Sequence, residues 1–163
     1  MAKAAGMSVE YLASGSPSLV EEDQFATAKR VKAQTGKSWE PGTTLAYFHR
    51  ELVKEKFKGA NPENLLLVEA EDPYMQPRIW QNEMVVVDGS KTKPKNGIFA
   101  LMIDGEILVR HIAKLKDGFV VHDRRKRRGQ LAYSLAEFEQ DVSVIGKAVI
   151  SGHYPEITED NFD

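Results

Sequence analysis

The chain has 163 residues, of which 42% are hydrophobic and 28% charged, so it is long enough for one well-packed domain but short for two. Its formal net charge of -2 argues against a surface given over entirely to nucleic acid, because neutralising phosphates needs net positive charge. The lack of cysteine excludes disulfide frameworks and cysteine nucleophiles, and the apolar runs are too short to span a membrane, which together favour a cytoplasmic protein without membrane contact.

Residues 1–15 predict two short helices, because an alanine-rich piece breaks at Gly6 and Ser8 can cap a second helix that ends at Gly15. This stretch is similar to the end of a helix-turn-helix DNA-binding domain of the Xre or lambda-repressor type, without the helices that enter the DNA groove. A simple helical hairpin packed on the main domain is the alternative. Residues 16–24 are rich in Ser, Pro and acidic side chains, which is typical of a linker.

The main domain is predicted to begin with a weakly alternating strand over Phe25–Ala33. Leu45, Phe48, Leu52 and Phe57 then fall close to helical spacing, which predicts one amphipathic helix that ends before Gly59. We expect this to be the main helix of the domain.

From residue 65 onward the pattern is typical of strands, with β-branched and aromatic enrichment and tight turns at Asp104-Gly105 and Asp117-Gly118. No helical segments alternate with these runs, so the sequence predicts a mainly β, coiled antiparallel architecture. The predicted strand segments are LLLVEA, IWQNEMVVVD, GIFALMI, EILVRHIAKL, GFVVHD and VSVIGKAVI.

Three separated blocks of residues 25–155 resemble the peptidase domain of the LexA and phage-repressor family. They are NPENLLLVEAEDPYMQPRIWQNEMVVVDGS, NGIFALMIDGEILVRHI and VSVIGKAVISG. Met75 and Pro77 match a Met and a Pro of the family's nucleophile segment, and Val109 to His111 stand where the family has its lysine-bearing strand. The resemblance implies a LexA and signal-peptidase-like fold with one main helix, and a catalytic serine and lysine in a self-cleaving dyad.

This sequence departs from that dyad at both positions. The resemblance places the nucleophile at Tyr74, with Asp72 and Pro73 replacing the residues before it, and the base at Arg110. A lysine can lose its proton in an apolar pocket and then accept one from serine. Neutralising an arginine at pH 7 costs about 9 kcal/mol, against roughly 4.6 kcal/mol for an unperturbed lysine. The resemblance therefore implies an inactive peptidase fold.

The scissile bond also departs from the family pattern. Self-cleaving members have Ala-Gly or Cys-Gly before the catalytic domain, whereas the nearest equivalent here is Thr35-Gly36. Tyr74 and Arg110 either grip the linker or an antirepressor protein without cutting it, or pack as ordinary partly buried side chains.

The strongest charge feature is a run of five cations in a predicted connection between strands. It contacts DNA phosphates or an acidic partner, or it is a solvated loop tip. The acidic tail, residues 156–163, either folds back on these cations or on a neighbouring subunit, or is disordered. The four histidines, His49, His111, His122 and His153, have no metal-ligand spacing, and no nucleotide or other cofactor motif is present. The cationic run comprises Arg124, Arg125, Lys126, Arg127 and Arg128.

The resemblance implies an oligomerising, regulatory domain of a phage-type transcriptional repressor. We expect a homodimer or higher assembly, in which the strand Val142 to Ile150 pairs or packs across a two-fold axis and DNA-binding domains are presented to operator DNA. Induction would then come from a protein partner. The alternatives are an active serine peptidase that uses Ser90 or Ser143, and a stand-alone interaction protein that never binds DNA.

Overall fold

The computed structural model describes residues 24–34, 38–57 and 59–151, which form one nine-stranded sheet with two short α-helices. The helices are α1 (Arg50–Lys56) and α2 (Leu135–Asp141), and a 3₁₀ turn covers Pro62–Asn64. The mainly β prediction is confirmed. The strands are β1 (Phe25–Ala33), β2 (Trp39–His49), β3 (Leu65–Ala70), β4 (Glu83–Asp88), β5 (Gly97–Ile103), β6 (Glu106–Lys114), β7 (Gly118–His122), β8 (Gln130–Ser134) and β9 (Val142–Ser151).

The strand order across the sheet is β2-β1-β3-β4-β9-β5-β6-β7-β8. All neighbours are antiparallel except β1 and β3, which run parallel. The last strand lies between β4 and β5, and both of its edges are hydrogen-bonded within the chain. Edge-to-edge pairing of Val142 to Ile150 with a second copy is therefore excluded, because a central strand has no free edge. The other alternative, packing of this strand across a two-fold axis, stays a prediction.

The core consists of three clusters, which follow from the near-continuous apolar runs of the central strands. The first joins β3, β4, β5 and β9 around Val85, Val87 and Ile145. The second lies under α1 and β2, around Phe48 and Phe57, and the third lies under α2. Strands buried on both faces lose the polar alternation of a one-sided sheet, which is why these segments read as unbroken hydrophobic sequence.

The helix predicted from Leu45 to Phe57 is wrong in its first half. Leu45 and Phe48 belong to β2, where Phe48 is buried and Leu45 is 41% exposed, and α1 begins only at Arg50. Pairing with β1 along the whole of β2 outweighs the helical spacing of these apolar residues.

A second helix, α2, was not predicted, although its start carries a clear signal. The Ser134 side chain accepts the backbone N–H of Glu137, and the Glu137 carboxylate accepts the backbone N–H of Ser134. This capping box fixes the first turn, while Phe138 anchors the helix in the third cluster.

The segment from Glu71 to Asn82 forms turns between β3 and β4, so the strand predicted to start at Ile79 begins only at Glu83. The hairpin turn at Asp104-Gly105 is present, with both residues at positive φ. No helix in the described ranges has the length and apolar character needed to cross a membrane. The predicted helical fragment 1–15, linker residues 16–23 and the acidic tail 156–163 lie outside the described residues.

Candidate functional site

The two positions at which the resemblance places the dyad lie in contact. Arg110 is on β6, opposite Phe99 of β5, and Tyr74 is on the loop between β3 and β4. The Cζ atom of Arg110 lies 5.9 Å from the centroid of the Tyr74 ring, within the range of a cation–π contact. Loop and strand therefore meet at one place, with the phenol ring over the guanidinium.

Arg110 is clamped by the carboxylate of Asp72. Its Nη2 donates to Asp72 Oδ2 at 2.6 Å and its Nη1 to Asp72 Oδ1 at 3.1 Å, which is the bidentate geometry that a planar guanidinium favours. The same carboxylate accepts the backbone N–H of Tyr74, at 3.2 Å. Asp72 thus joins the strand to the loop, and the Arg110 side chain is only 2% exposed.

A second carboxylate, Asp123, lies on the other side of Arg110. It is 1% exposed, and its Oδ1 is 3.6 Å from Nε of Arg110, too far for a hydrogen bond. Arg125 instead donates to both Asp123 oxygens and reaches Glu106 at 3.0 Å. These five residues form an alternating chain of charges, hereafter the Arg110 network: Asp72, Arg110, Asp123, Arg125 and Glu106.

The electrostatics of Asp123 follow from this surrounding. Burial alone would raise the pKa of Asp123, but hydrogen bonds from the side chain and backbone of Arg125, with the charges of Arg110 and Arg125, hold it below its ordinary value. The hydrogen bond to Asp123 raises the pKa of Arg125 against the effect of burial. Each charge in the buried part of the network is therefore stabilised by an opposite charge.

Such a site holds a loop in place but supplies no proton acceptor of the lysine type. The guanidinium donates and has no lone pair to accept a proton, and Asp72 and the buried Asp123 already accept from arginines. Its chemical capacity is fixed positive charge and planar stacking, the means by which arginine binds carboxylates and aromatic rings.

Next to the network lies an open cleft of about 430 Å³. Tyr74 lines this cleft and also contacts Arg110, which is not among the lining residues. The rings of His111 and His122 lie 5.1 Å apart, centroid to centroid, in its wall. Burial lowers the pKa of His111, and the positive charges of His122 and Arg78 lower it further. The lining residues are Tyr74, Met75, Gln76, Pro77, Arg78, Ile98, His111, His122, Arg124 and Gly129.

The predicted cationic run divides into parts with different surroundings. Arg124 lines the cleft, while Arg125 turns inward to Asp123 and Glu106. Lys126, Arg127 and Arg128 are exposed on the turn before β8. The run is thus not a uniform solvated tip, because one of its arginines belongs to the Arg110 network.

The two serines considered as unaligned nucleophiles are not brought to the Arg110 network. The Ser90 hydroxyl donates to Oδ1 of Asp88 at 2.6 Å, and Asp88 is fully buried. Ser143 lines a separate cavity whose described lining residues include no lysine. A lysine with a lowered pKa does occur on β9, since burial and the charges of Lys95 and Lys91 lower the pKa of Lys147, but no hydrogen bond joins it to Ser90 within the described residues.

The remaining candidate positions are the histidines, considered as metal ligands, and the suggested former cleavage site. Within residues 24–34, 38–57 and 59–151 no group of three His, Asp or Glu side chains has the arrangement of a metal site. Thr35 and Gly36, the suggested former cleavage site, and His153 lie outside the described residues.

Sequence reasoning missed the acidic partners of Arg110. Asp72 was noted only as a departure from the family pattern, and Asp123 directly precedes the cationic run in the sequence. The available signal was Arg110 itself, because an arginine inside an apolar strand requires a buried carboxylate, and these aspartates each lie just beyond the end of an apolar strand.

Comparison with known proteins agrees with this geometry at the level of the family. The Peptidase S24-like family model matches residues 12–149, which is most of the chain. A search of curated proteins finds no significant match.

Proposed function

This chain belongs to the Peptidase S24-like family, and on that premise we propose that it is the oligomerising, regulatory C-terminal domain of a phage-type transcriptional repressor that does not cleave itself. The supporting observation is the buried bidentate pair of Arg110 with Asp72, at the position where the resemblance places the catalytic base. A guanidinium donates hydrogen bonds and has no lone pair with which to accept a proton, so it cannot activate a hydroxyl.

The nucleophile position supports the same proposal. The hydroxyl of Tyr74 stands at the far end of an aromatic ring, whereas that of a serine is attached directly to Cβ. The Tyr74 ring lies over the Arg110 guanidinium. Its backbone N–H is also tied to Asp72, so the loop is fixed with the ring in this place. The former dyad is thus replaced by an interaction that stabilises the fold.

Assembly is the function that remains for such a domain, since Peptidase S24-like domains commonly oligomerise. The strand β8 is an edge of the sheet and so offers backbone groups on its outer side. Leu115 and Leu135 are 51% and 52% exposed, respectively, and lie near this edge. The backbone N–H of Leu115 donates to the carbonyl of Gly118, and Gly118 pairs with Ser134, the residue before Leu135. We place the two-fold contact here, with two DNA-binding domains presented to a palindromic operator.

Sedimentation equilibrium over a concentration series tests the assembly. We expect a dimer that Leu135→Lys weakens, because a charge would enter an apolar contact. Leu45→Lys is the matched control, since Leu45 is 41% exposed on β2 at the opposite edge. A monomer at high concentration, or equal effects of the two variants, would contradict the proposed interface.

In this proposal a protein partner, and not self-cleavage, releases the repressor from its operator. An active peptidase that uses Ser90 or Ser143 remains the second candidate. It would show cleavage at alkaline pH that the corresponding Ser→Ala variant abolishes. A stand-alone interaction protein is distinguished by the coding sequence upstream of Met1, which must encode the first helices of a DNA-binding domain if the domain belongs to a repressor.

A further inference from the structure

The cleft beside Tyr74 carries positive charge that the described residues do not neutralise. Arg78 and Arg124 are exposed at its rim, and neither forms an ion pair within the part of the chain that the structure describes. His111 and His122 stand in its wall, and the nearby Asp72 and Asp123 are taken up by Arg110 and Arg125. The cleft is therefore built to receive negative charge.

Its shape and floor favour a peptide over a small ion. About 430 Å³ falls within the usual range of ligand sites, and Met75, Pro77 and Ile98 give it an apolar part. A segment that combines carboxylates with apolar side chains would use both surfaces.

Such a segment follows β9, whose Lys147 pairs with Phe99, the neighbour in sequence of the cleft residue Ile98. Ser151, at the end of β9, pairs with Val85, the third residue after the loop that carries Tyr74 and Arg78. Ala148 of β9 packs on the same core cluster as Met75 and Ile98. The next residues, 152–163, include Glu156, Ile157, Glu159, Asp160, Phe162 and Asp163.

We propose that the acidic segment 156–163 docks in this cleft on its own subunit, with its carboxylates paired with Arg78 and Arg124 and an apolar side chain against Met75 and Ile98. Twelve extended residues reach at most roughly 40 Å, so the short path from Ser151 is easily spanned. Tethering favours this segment over a free peptide, because its effective concentration at the cleft is high. The inference goes beyond the proposed repressor role and does not depend on dimerisation.

The docked carboxylates would also act on the histidines. The groups that face His111 are His122 from β7, Arg78 from the loop after β3, and Arg124 and Tyr74 at the cleft. All the charged groups among them are cationic and disfavour protonation of His111. Added carboxylates favour it, so neutralising the segment should lower the pKa of His111.

The chain has no cysteine, so a single spin label can be attached at Asn161→Cys in the full chain. We expect NMR signals of Arg78, His111 and Gly129 to lose intensity, and to recover in high salt. The same label in a chain that also carries Glu156→Gln, Glu159→Gln, Asp160→Asn and Asp163→Asn should leave these signals unaffected. The matched control neutralises Glu51 and Glu55 on α1, which do not line the cleft, and should retain the loss.

Unchanged cleft signals in the labelled parent chain would overturn the proposal. So would equal broadening with the neutralised segment, since charge would then not determine the contact. To test the intramolecular arrangement, spin-labelled chains without isotope enrichment are mixed with isotope-enriched chains that carry no spin label. Signal loss in that mixture would contradict the intramolecular arrangement. Sedimentation reports separately on assembly, so failure of this inference is distinguishable from failure of the repressor role.

Discussion

Removal of the Asp72 carboxylate should destabilise the fold far more than removal of an exposed ion-pair partner. Asp72→Ala leaves Arg110, 2% exposed, without its two hydrogen bonds of 2.6 and 3.1 Å. Loss of one partner of a buried ion pair costs about 3–5 kcal/mol. Because Asp72 is itself 23% exposed and Asp123 remains 3.6 Å from Nε, we expect a loss of about 2–4 kcal/mol in the free energy of unfolding.

Urea denaturation followed by tryptophan fluorescence measures this change, and Trp80 lies in the loop that Asp72 anchors. The matched control is Glu63→Ala, which removes the 2.6 Å pair with Arg50 at an exposed position and should cost less than about 1 kcal/mol. The double variant Asp72→Ala with Arg110→Met should recover much of the loss, because no unpaired charge is left buried. Equal effects of Asp72→Ala and Glu63→Ala, or no recovery in the double variant, would refute the reasoning.

Three further predictions concern stability. The pKa of Asp123 is lowered in the fold, so its contribution to the free energy of unfolding is present above the ordinary pKa of 3.8 and is lost as the pH falls below that value. Urea titrations should therefore show a free energy of unfolding that decreases as the pH falls in this range, and Asp123→Asn should flatten that dependence. Ser134→Ala removes the capping box of α2 and should cost about 1 kcal/mol by the same assay, whereas Ser134→Thr should cost less. Gly118→Ala brings a methyl group against the backbone of Tyr133, whereas at Gly129 the space is open and only the positive φ is strained. In thermal or urea unfolding, Gly118→Ala should therefore cost about 1–3 kcal/mol more than Gly129→Ala.

Much of the sheet was predictable because the central strands are short, strongly apolar and bounded by turns. Residues 65–70 and 97–103 were predicted as strands with the bounds that the structure has. The edges were less predictable. Strand β8 alternates exposed and half-buried residues without a strong apolar run, and the apolar residues of β2 also fit a helical period. Whether such segments form strands depends on the strands with which they pair, and a single sequence does not show which strands those are.

For the candidate site, the sequence supplied two positions by resemblance but not the groups that contact them. The resemblance identified Tyr74 and Arg110, and the structure places them in contact. The carboxylates that hold Arg110 come from 38 residues before it, in the loop after β3, and from the end of β7. Only the packing of the sheet brings these places together, so the sequence did not reveal that the cationic run sends Arg125 inward.

The central claim is that a guanidinium locked to Asp72 has replaced proton transfer. Its most direct test is the intact mass of the purified chain after prolonged incubation from neutral to alkaline pH, where lysine-based self-cleavage accelerates. We predict one species of unchanged mass at every pH. Two fragments whose masses add up to the chain plus one water would contradict it.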